Sequence, residues 1–299
     1  MTTDASTGNI PISVFDLRHT FESAQPLTFH ADYNPGSNSI LYTMGRTIVN
    51  VGQSGGNEKG TLTVMSKELG IAMRDAVKRF RLGDDMKRIY RIINTDRFTD
   101  EAIRRYYGMR LTVNDPWETT LCIIISQFNN VKRIRKIVRA LKERYGQPIK
   151  DNTGRTIAHS FPESKDLLGA SVKDLMGCGT GFRARYVKHA AEYCTYNLDI
   201  YKLNPTDYDK LTEALMEING VGEKVADCIA LMGYGNTEAF PIDVWVKRTM
   251  ERVYFKGKKK TPKQLRRFAD ERYGKYKGYF QQYLFWGGRQ MDEEVGAYA

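Results

Sequence analysis

Between Ser39 and Ser66 apolar and polar residues alternate in three runs, SILYTMG, RTIVNVGQ and GTLTVMS. A period of two, in residues rich in Ile, Val, Thr and Tyr, predicts strands with one buried face. NPGSN precedes the first run and SGGNEK separates the last two, as turn segments should. A small antiparallel sheet is the expectation. From about Lys67 the apolar period lengthens to three and four. DPWETTLCIIISQF offers Asp115 as a cap and Pro116 at the first helical position. In NNVKRIRKIVRALKERYG, Val131, Ile134, Ile137, Val138 and Leu141 form one apolar stripe among Lys and Arg. FRARYVKHAAEYC, PTDYDKLTEALMEI, GEKVADCIALMGYG, DVWVKRTMERVYF, TPKQLRRFADERYG and YKGYFQQYLFWGG predict further helices. The expected fold class is therefore α+β: an N-terminal domain over 1–108 with a small antiparallel sheet, then a helical domain over 109–299. No repeat of solenoid period and no low-complexity tract interrupts this plan.

Composition narrows the class. A chain of 299 residues can bury one large core or two ordinary ones. At 41% hydrophobic and 27% charged it is a folded protein and not a disordered one. Its net charge of +11 suits a polyanion, of which nucleic acid is the commonest, although solubility alone could account for it. The four cysteines, Cys122, Cys178, Cys194 and Cys228, form no CxxC pair. That predicts reduced thiols, an intracellular setting and no structural zinc. No apolar stretch is long enough to span a bilayer, and MTTDASTGNI has neither the basic nor the apolar part of a signal peptide.

The most informative segment is LTEALMEINGVGEKVADCIALM. A helix carrying Leu211, Leu215 and Ile218 runs into Gly220-Val221-Gly222, and a second helix begins at once. Two glycines around one apolar residue permit a tight turn with Val221 tucked inward and backbone free to approach a ligand. The second helix then offers free N–H groups and the positive end of its dipole, an anion site suited to one DNA phosphate without reading a base. An ordinary glycine-rich turn is the plainer reading. The flanking apolar helices and the positive charge favour DNA.

Lys224 lies two residues past that turn, where the helix dipole disfavours an ammonium. The expectation is a lowered cost of deprotonation, helped by partial burial, and a neutral lysine is a nucleophile able to form a Schiff base. A solvated lysine touching phosphate is the alternative. Asp243, after Pro241 in AFPIDVWV, is placed to cap the next helix. Capping leaves one carboxylate oxygen to stabilise positive charge at a sugar carbon as an N-glycosidic bond breaks, and to assist proton transfer. In YFQQYLF, Gln281 and Phe285 share one helix side, the edge reader and apolar face that a pocket for an extruded base needs. An aromatic-rich terminal helix is also ordinary core.

Hairpin-GEKVADC followed some twenty residues later by PxD resembles the helix-hairpin-helix glycosylase superfamily, and more narrowly the eukaryotic-type 8-oxoguanine DNA glycosylases. FDLRHTFESAQPLTF, FRLGDDMKRIY, NDPWETTLCIIISQFNN, GFRARYVKHAA, INGVGEKVADCIALM, AFPIDVW and GYFQQYLF carry the resemblance over most of the chain. It implies Lys224 as the nucleophile at C1′, forming an imine that permits β-elimination of the 3′ phosphate, and Asp243 as the catalytic aspartate. It implies that Gln281 reads the Watson–Crick edge of the flipped lesion, with Phe285 stacked on one face and Cys228 on the other. Ala24 stands where the family has a glycine whose carbonyl accepts the N7 proton of 8-oxoguanine, a contact that needs residue 24 to keep glycine-like backbone angles.

Some positions depart from the family. Phe128 replaces the asparagine that fills the space opposite the lesion, with Asn129 beside it on the expected DNA face. Arg133 and Arg183 match the arginines that read the orphaned cytosine, so opposite-base discrimination should be weakened but not lost. Phe182 replaces a tyrosine wedge. Trp245 replaces a phosphate-contacting histidine whose acidic partner, near Gly288, is missing too, which implies a repacked contact. No cysteine follows Asp243, so no iron–sulfur cluster is expected, nor any metal or cofactor. KGKKK (256–260) reads as a solvated loop, with DNA contact or nuclear targeting as alternatives. The expectation is thus a monomeric, bifunctional glycosylase and AP lyase acting on duplex DNA with an oxidised guanine, in cytoplasm or nucleoid if prokaryotic and in the nucleus if eukaryotic. The rivals are a related glycosylase for another lesion, such as an alkylated base, and a non-catalytic DNA-structure binding protein.

Overall fold

In a computed structural model describing residues 5–297, the alternating runs form a five-stranded antiparallel sheet. The predicted strands are β3 (Ser39–Met44), β4 (Thr47–Gly55) and β5 (Gly60–Ser66), and β1 (Ser6–Ile12) and β2 (Asp32–Asn34) extend the sheet at its two edges, in the order β1-β5-β4-β3-β2. Pairing of Ile40 with Val51 and of Val51 with Val64 puts the apolar set of the central strands on one face. That face packs on α3 (Leu69–Arg79) through Ala72 and Ala76, and on Phe15, Leu17 and Leu27. The last two come from α1 (Leu17–Glu22) and α2 (Pro26–His30).

A second apolar core holds the helices. It draws on α4 (Met86–Ile93) and α5 (Arg97–Arg105), then on α6 (Pro116–Ser126) and α7 (Val131–Tyr145). Asp115 caps α6 by accepting from the N–H groups of Trp117 and Glu118, with Pro116 at the first position as its rigid ring prefers. A short hairpin, β6 (Pro148–Lys150) and β7 (Thr156–His159), follows. After it come α8 (Val172–Gly177), α9 (Ala184–Tyr196), α10 (Tyr208–Met216), α11 (Glu223–Gly233), α12 (Val244–Tyr254), α13 (Pro262–Tyr273) and α14 (Lys277–Ala297). Among the described residues no helix is long and apolar enough to cross a membrane.

Helix α14 is locked into the helical core. Tyr283 donates to the Met109 carbonyl at 2.7 Å and pairs with the Tyr90 hydroxyl at 2.8 Å, and Tyr279 bonds Asp84. On its other side Phe280 stacks on Tyr273, 3.9 Å between ring centres. These buried bonds leave α14 little freedom to rotate, so the side chains it presents are fixed.

Candidate active site

The hairpin forms as its residues require. Gly220 has φ +86°, and a Cβ there would come within 2.5 Å of the Tyr186 ring. Val221 is buried and its N–H bonds the Ile218 carbonyl at 2.9 Å. Gly222 differs: its φ of −97° suits any residue, and nothing lies within 4 Å of the direction a side chain would take. Its glycine leaves the start of α11 open toward solvent, and no side chain caps that end.

Lys224 and Cys228, one turn apart on α11, line a cavity of about 360 Å³, within the roughly 300–1,000 Å³ usual for ligand sites. Asp243 and Trp245 enter from the start of α12, Gln281 and Phe285 from α14, and Ala24 from the N-terminal segment. Asn129, on the loop after α6, lines the same space. One concavity therefore gathers every residue expected to touch the base or the reacting sugar.

Asp243 caps α12 by accepting from the Val246 N–H at 2.7 Å, which fixes its carboxylate. Burial lifts this carboxyl above the ordinary aspartate range, against the backbone N–H bonds and the nearby Lys224 charge. Lys224 requires a correction. Its ammonium is held above the ordinary lysine range, first by Cys228, whose sulfur it also hydrogen-bonds, and then by Asp243, against the opposing effect of burial. Cys228 is itself pushed up by burial.

The base-facing residues are well anchored. Gln281 donates through Nε2 to the Pro241 carbonyl at 3.1 Å and leaves Oε1 buried without a partner among the described residues. Ala24 has φ +58°, the left-handed region that glycine favours, so the turn keeps that geometry with an alanine in place. At Gly288 a Cβ would collide with Thr249 Oγ1. Helices α12 and α14 thus pack too closely for a side chain at that position, while Arg289, one residue on, reaches the cavity, and Trp245 stacks near Arg248.

Beside the cavity stands an apolar projection. Phe128 is 94% exposed at φ +48°, and Phe182 is 56% exposed. A bulky exposed ring on a strained backbone is the kind of outlier that binding sites retain. Arg183, expected to read the base opposite the lesion, is held inward. It is 2% exposed, and its guanidinium donates to the carbonyls of Gln127, at 2.6 Å through Nε, and Phe128, at 2.9 Å, while stacking on the Phe182 ring. It therefore braces both aromatics. Arg133 is exposed on α7. Gln127, which the sequence reading passed over, donates to the Gly220 carbonyl at 3.1 Å and ties this loop to the hairpin. Gln282 was also passed over, although an unbroken polar pair in an apolar helix was the available signal. In KGKKK, Lys259 lies 3.2 Å from Glu251, which also accepts the Lys260 N–H, so the run is partly tied to α12.

Residues 121–275, from within α6 to just past α13, match the model of HhH-GPD superfamily base excision DNA repair proteins. The chain belongs to that superfamily. This HhH-GPD protein is 34% identical over 198 residues to the probable N-glycosylase/DNA lyase of Methanothermobacter thermautotrophicus. That match covers 60% of this chain and 62% of the relative. Among solved structures, MBOgg1 in complex with a low-affinity DNA ligand superposes with a TM-score of 0.86 at 32% identity, over 96% of this chain and 99% of that one. The apo form of Clostridium acetobutylicum 8-oxoguanine glycosylase/lyase does so at 0.79 and 25%, over 95% and 99%.

Proposed function

We propose that the protein excises 8-oxoguanine from duplex DNA and then nicks the strand as an AP lyase. One observation carries this reading: a single cavity combines an amine, a fixed carboxylate and a buried glutamine oxygen unpaired among the described residues, between apolar walls. The relatives' names, N-glycosylase/DNA lyase and 8-oxoguanine glycosylase/lyase, support it. Lys224 and Asp243 do the chemistry. Gln281, Phe285, Cys228 and Ala24 hold the base. The Gly220–Gly222 hairpin binds a phosphate, and Phe128, Phe182, Asn129, Arg133, Arg183 and Trp245 shape the DNA face. The chain would be organised as 1–108 and 109–299, with α4 and α5 of the first part packing into the helical core. It would act as a monomer on intracellular DNA, in nucleoid or nucleus.

The steps follow from the site. Lys224 rests as an ammonium, and the buried Asp243 carboxylate, more basic than usual, is the nearby group to take its proton. The free amine attacks C1′ as the bond to the base breaks and the base leaves with its electron pair and a proton. Asp243 passes that proton on to the departing base, and its carboxylate, negative again, offsets the positive charge growing on the sugar. The amine at C1′ opens the ring to a Schiff base, and loss of a C2′ proton then expels the 3′ phosphate. Extruding the base costs roughly a few kcal/mol, offset by phosphate bonds at the hairpin and by Phe128 filling the vacated stack.

Borohydride trapping across a lesion panel tests the proposal. A covalent adduct on 8-oxoguanine DNA, absent in Lys224→Gln, is expected. Adduct-free release of an alkylated base would move the specificity elsewhere, and binding without turnover would remove the enzyme.

A further inference from the structure

Guanine and 8-oxoguanine carry the same donors at N1 and N2. An acceptor facing the Watson–Crick edge, the role given to Gln281, cannot separate them. They differ at N7, an acceptor in guanine and an N–H donor in the lesion. A pocket that selects the lesion therefore needs a second acceptor on another wall.

Gln282 provides the means. It lines the same cavity, is 2% exposed, and leaves Oε1 buried with no partner among the described residues. Its Nε2 is committed to the Ser23 carbonyl at 2.9 Å, whereas Gln281 is held by the Pro241 carbonyl. Neighbours on a helix point about 100° apart, so the two amides are moored to different elements and meet a bound base from different sides. The Ser23 end is rigid. Ser23 Oγ donates to the Thr20 carbonyl at 2.8 Å, while Gln25 Nε2 bonds both Ser23 Oγ and the Arg110 carbonyl at 2.9 Å. Gln25 Oε1 accepts the Thr112 N–H at 2.7 Å. Ala24, in its left-handed conformation, sits inside this frame and also faces the cavity.

We infer that Gln282 is a second specificity-determining residue of the base pocket. It fixes the Ser23–Ala24 turn through its amide nitrogen and supplies, through its amide oxygen, an acceptor in addition to the Ala24 carbonyl, which together favour a base with N–H donors on both edges. The inference rests on the glycosylase reading above. A buried acceptor left unpaired by guanine and paired by the lesion accounts for discrimination on the order of tenfold to a hundredfold.

The test uses the full chain and three duplexes opposite cytosine: the uncleavable 2′-fluoro analogue of 8-oxoguanine, the same analogue of guanine, and a tetrahydrofuran abasic analogue. Affinities are measured by anisotropy for the wild type, Gln282→Met and Gln282→Leu. The ratio of 8-oxoguanine to guanine affinity should fall at least tenfold in both variants, a larger change than any seen with the baseless duplex. An unchanged ratio would overturn the inference. So would a proportionate loss on all three duplexes, which would leave Gln282 a merely structural residue. A wild type with no preference for the lesion would bring down the glycosylase reading beneath it.

Discussion

Gly220→Ala isolates the steric demand of the hairpin from its role in binding. Residue 220 sits at φ +86°, where an L side chain costs roughly 1–2 kcal/mol. The added methyl also meets the Tyr186 ring at 2.5 Å, and such overpacking costs about 1–3 kcal/mol. Together these predict about 2–5 kcal/mol of lost stability, read from urea unfolding at constant slope. Gly222→Ala is the control. Its backbone angles suit alanine and its surroundings are open, so stability should fall by less than about 1 kcal/mol, the scale of an N-cap change. Its methyl nevertheless projects where a phosphate oxygen would approach, so affinity for a non-specific duplex at fixed salt should drop about tenfold. Should Gly220→Ala unfold like the wild type, or Gly222→Ala bind DNA undiminished, the steric reasoning would be wrong.

Three further outcomes are expected. Because Lys224 is held above the ordinary lysine range, the amine is the minor form at neutral pH, and single-turnover excision should climb with pH until that raised value is passed. Cys228→Ala removes the first cause of the rise and should move this alkaline limb to lower pH; a limb shifted upward would contradict the assignment. Glu118, buried 3.8 Å from His30, has its carboxyl pushed up to about 8 by burial. The folded state therefore binds the extra proton, so the contribution of Glu118 to stability should be full below the ordinary glutamate range and be lost between about pH 4.5 and 8. Glu118→Gln should flatten this dependence and gain about 2–4 kcal/mol at pH 8 relative to pH 5; parallel stability curves would disprove it. Phe128 can wedge but offers no side-chain hydrogen bond to an opposite base, so excision rates opposite A, G and T should lie close to that opposite C. A steep preference for C would assign the reading to Arg133 or Arg183 after all.

What could be read from the chain depended on how locally each feature is encoded. Strands β3 to β5 and helix α6 with its Asp115 cap carry their own periodicity and end signals, and all were expected. β1 and β2 are edge strands with mostly polar residues, STGNIPI and DYN, whose pairing is set by β5 and β3 and not by their own pattern. The β6–β7 hairpin is similarly short. The site's membership followed from motif order, and Ala24, Lys224, Cys228, Asp243, Gln281 and Phe285 do line one cavity. Electrostatic direction and hydrogen-bond partners are non-local. Lys224 answers to Cys228 and Asp243. Arg183 is drawn inward by the carbonyls of Gln127 and Phe128, more than fifty residues earlier. The bond from Gln282 to Ser23 spans 259 positions, beyond the reach of any local pattern.

The central claim is that the amine of Lys224 attacks the deoxyribose. Reduction with borohydride during turnover on 8-oxoguanine duplex, followed by proteolysis and mass spectrometry of the DNA-linked peptide, tests it most directly. The account predicts a single modified peptide with the sugar attached at Lys224 Nζ, and none from Lys224→Gln. An adduct mapped to another lysine, or full strand nicking by Lys224→Gln, would contradict it.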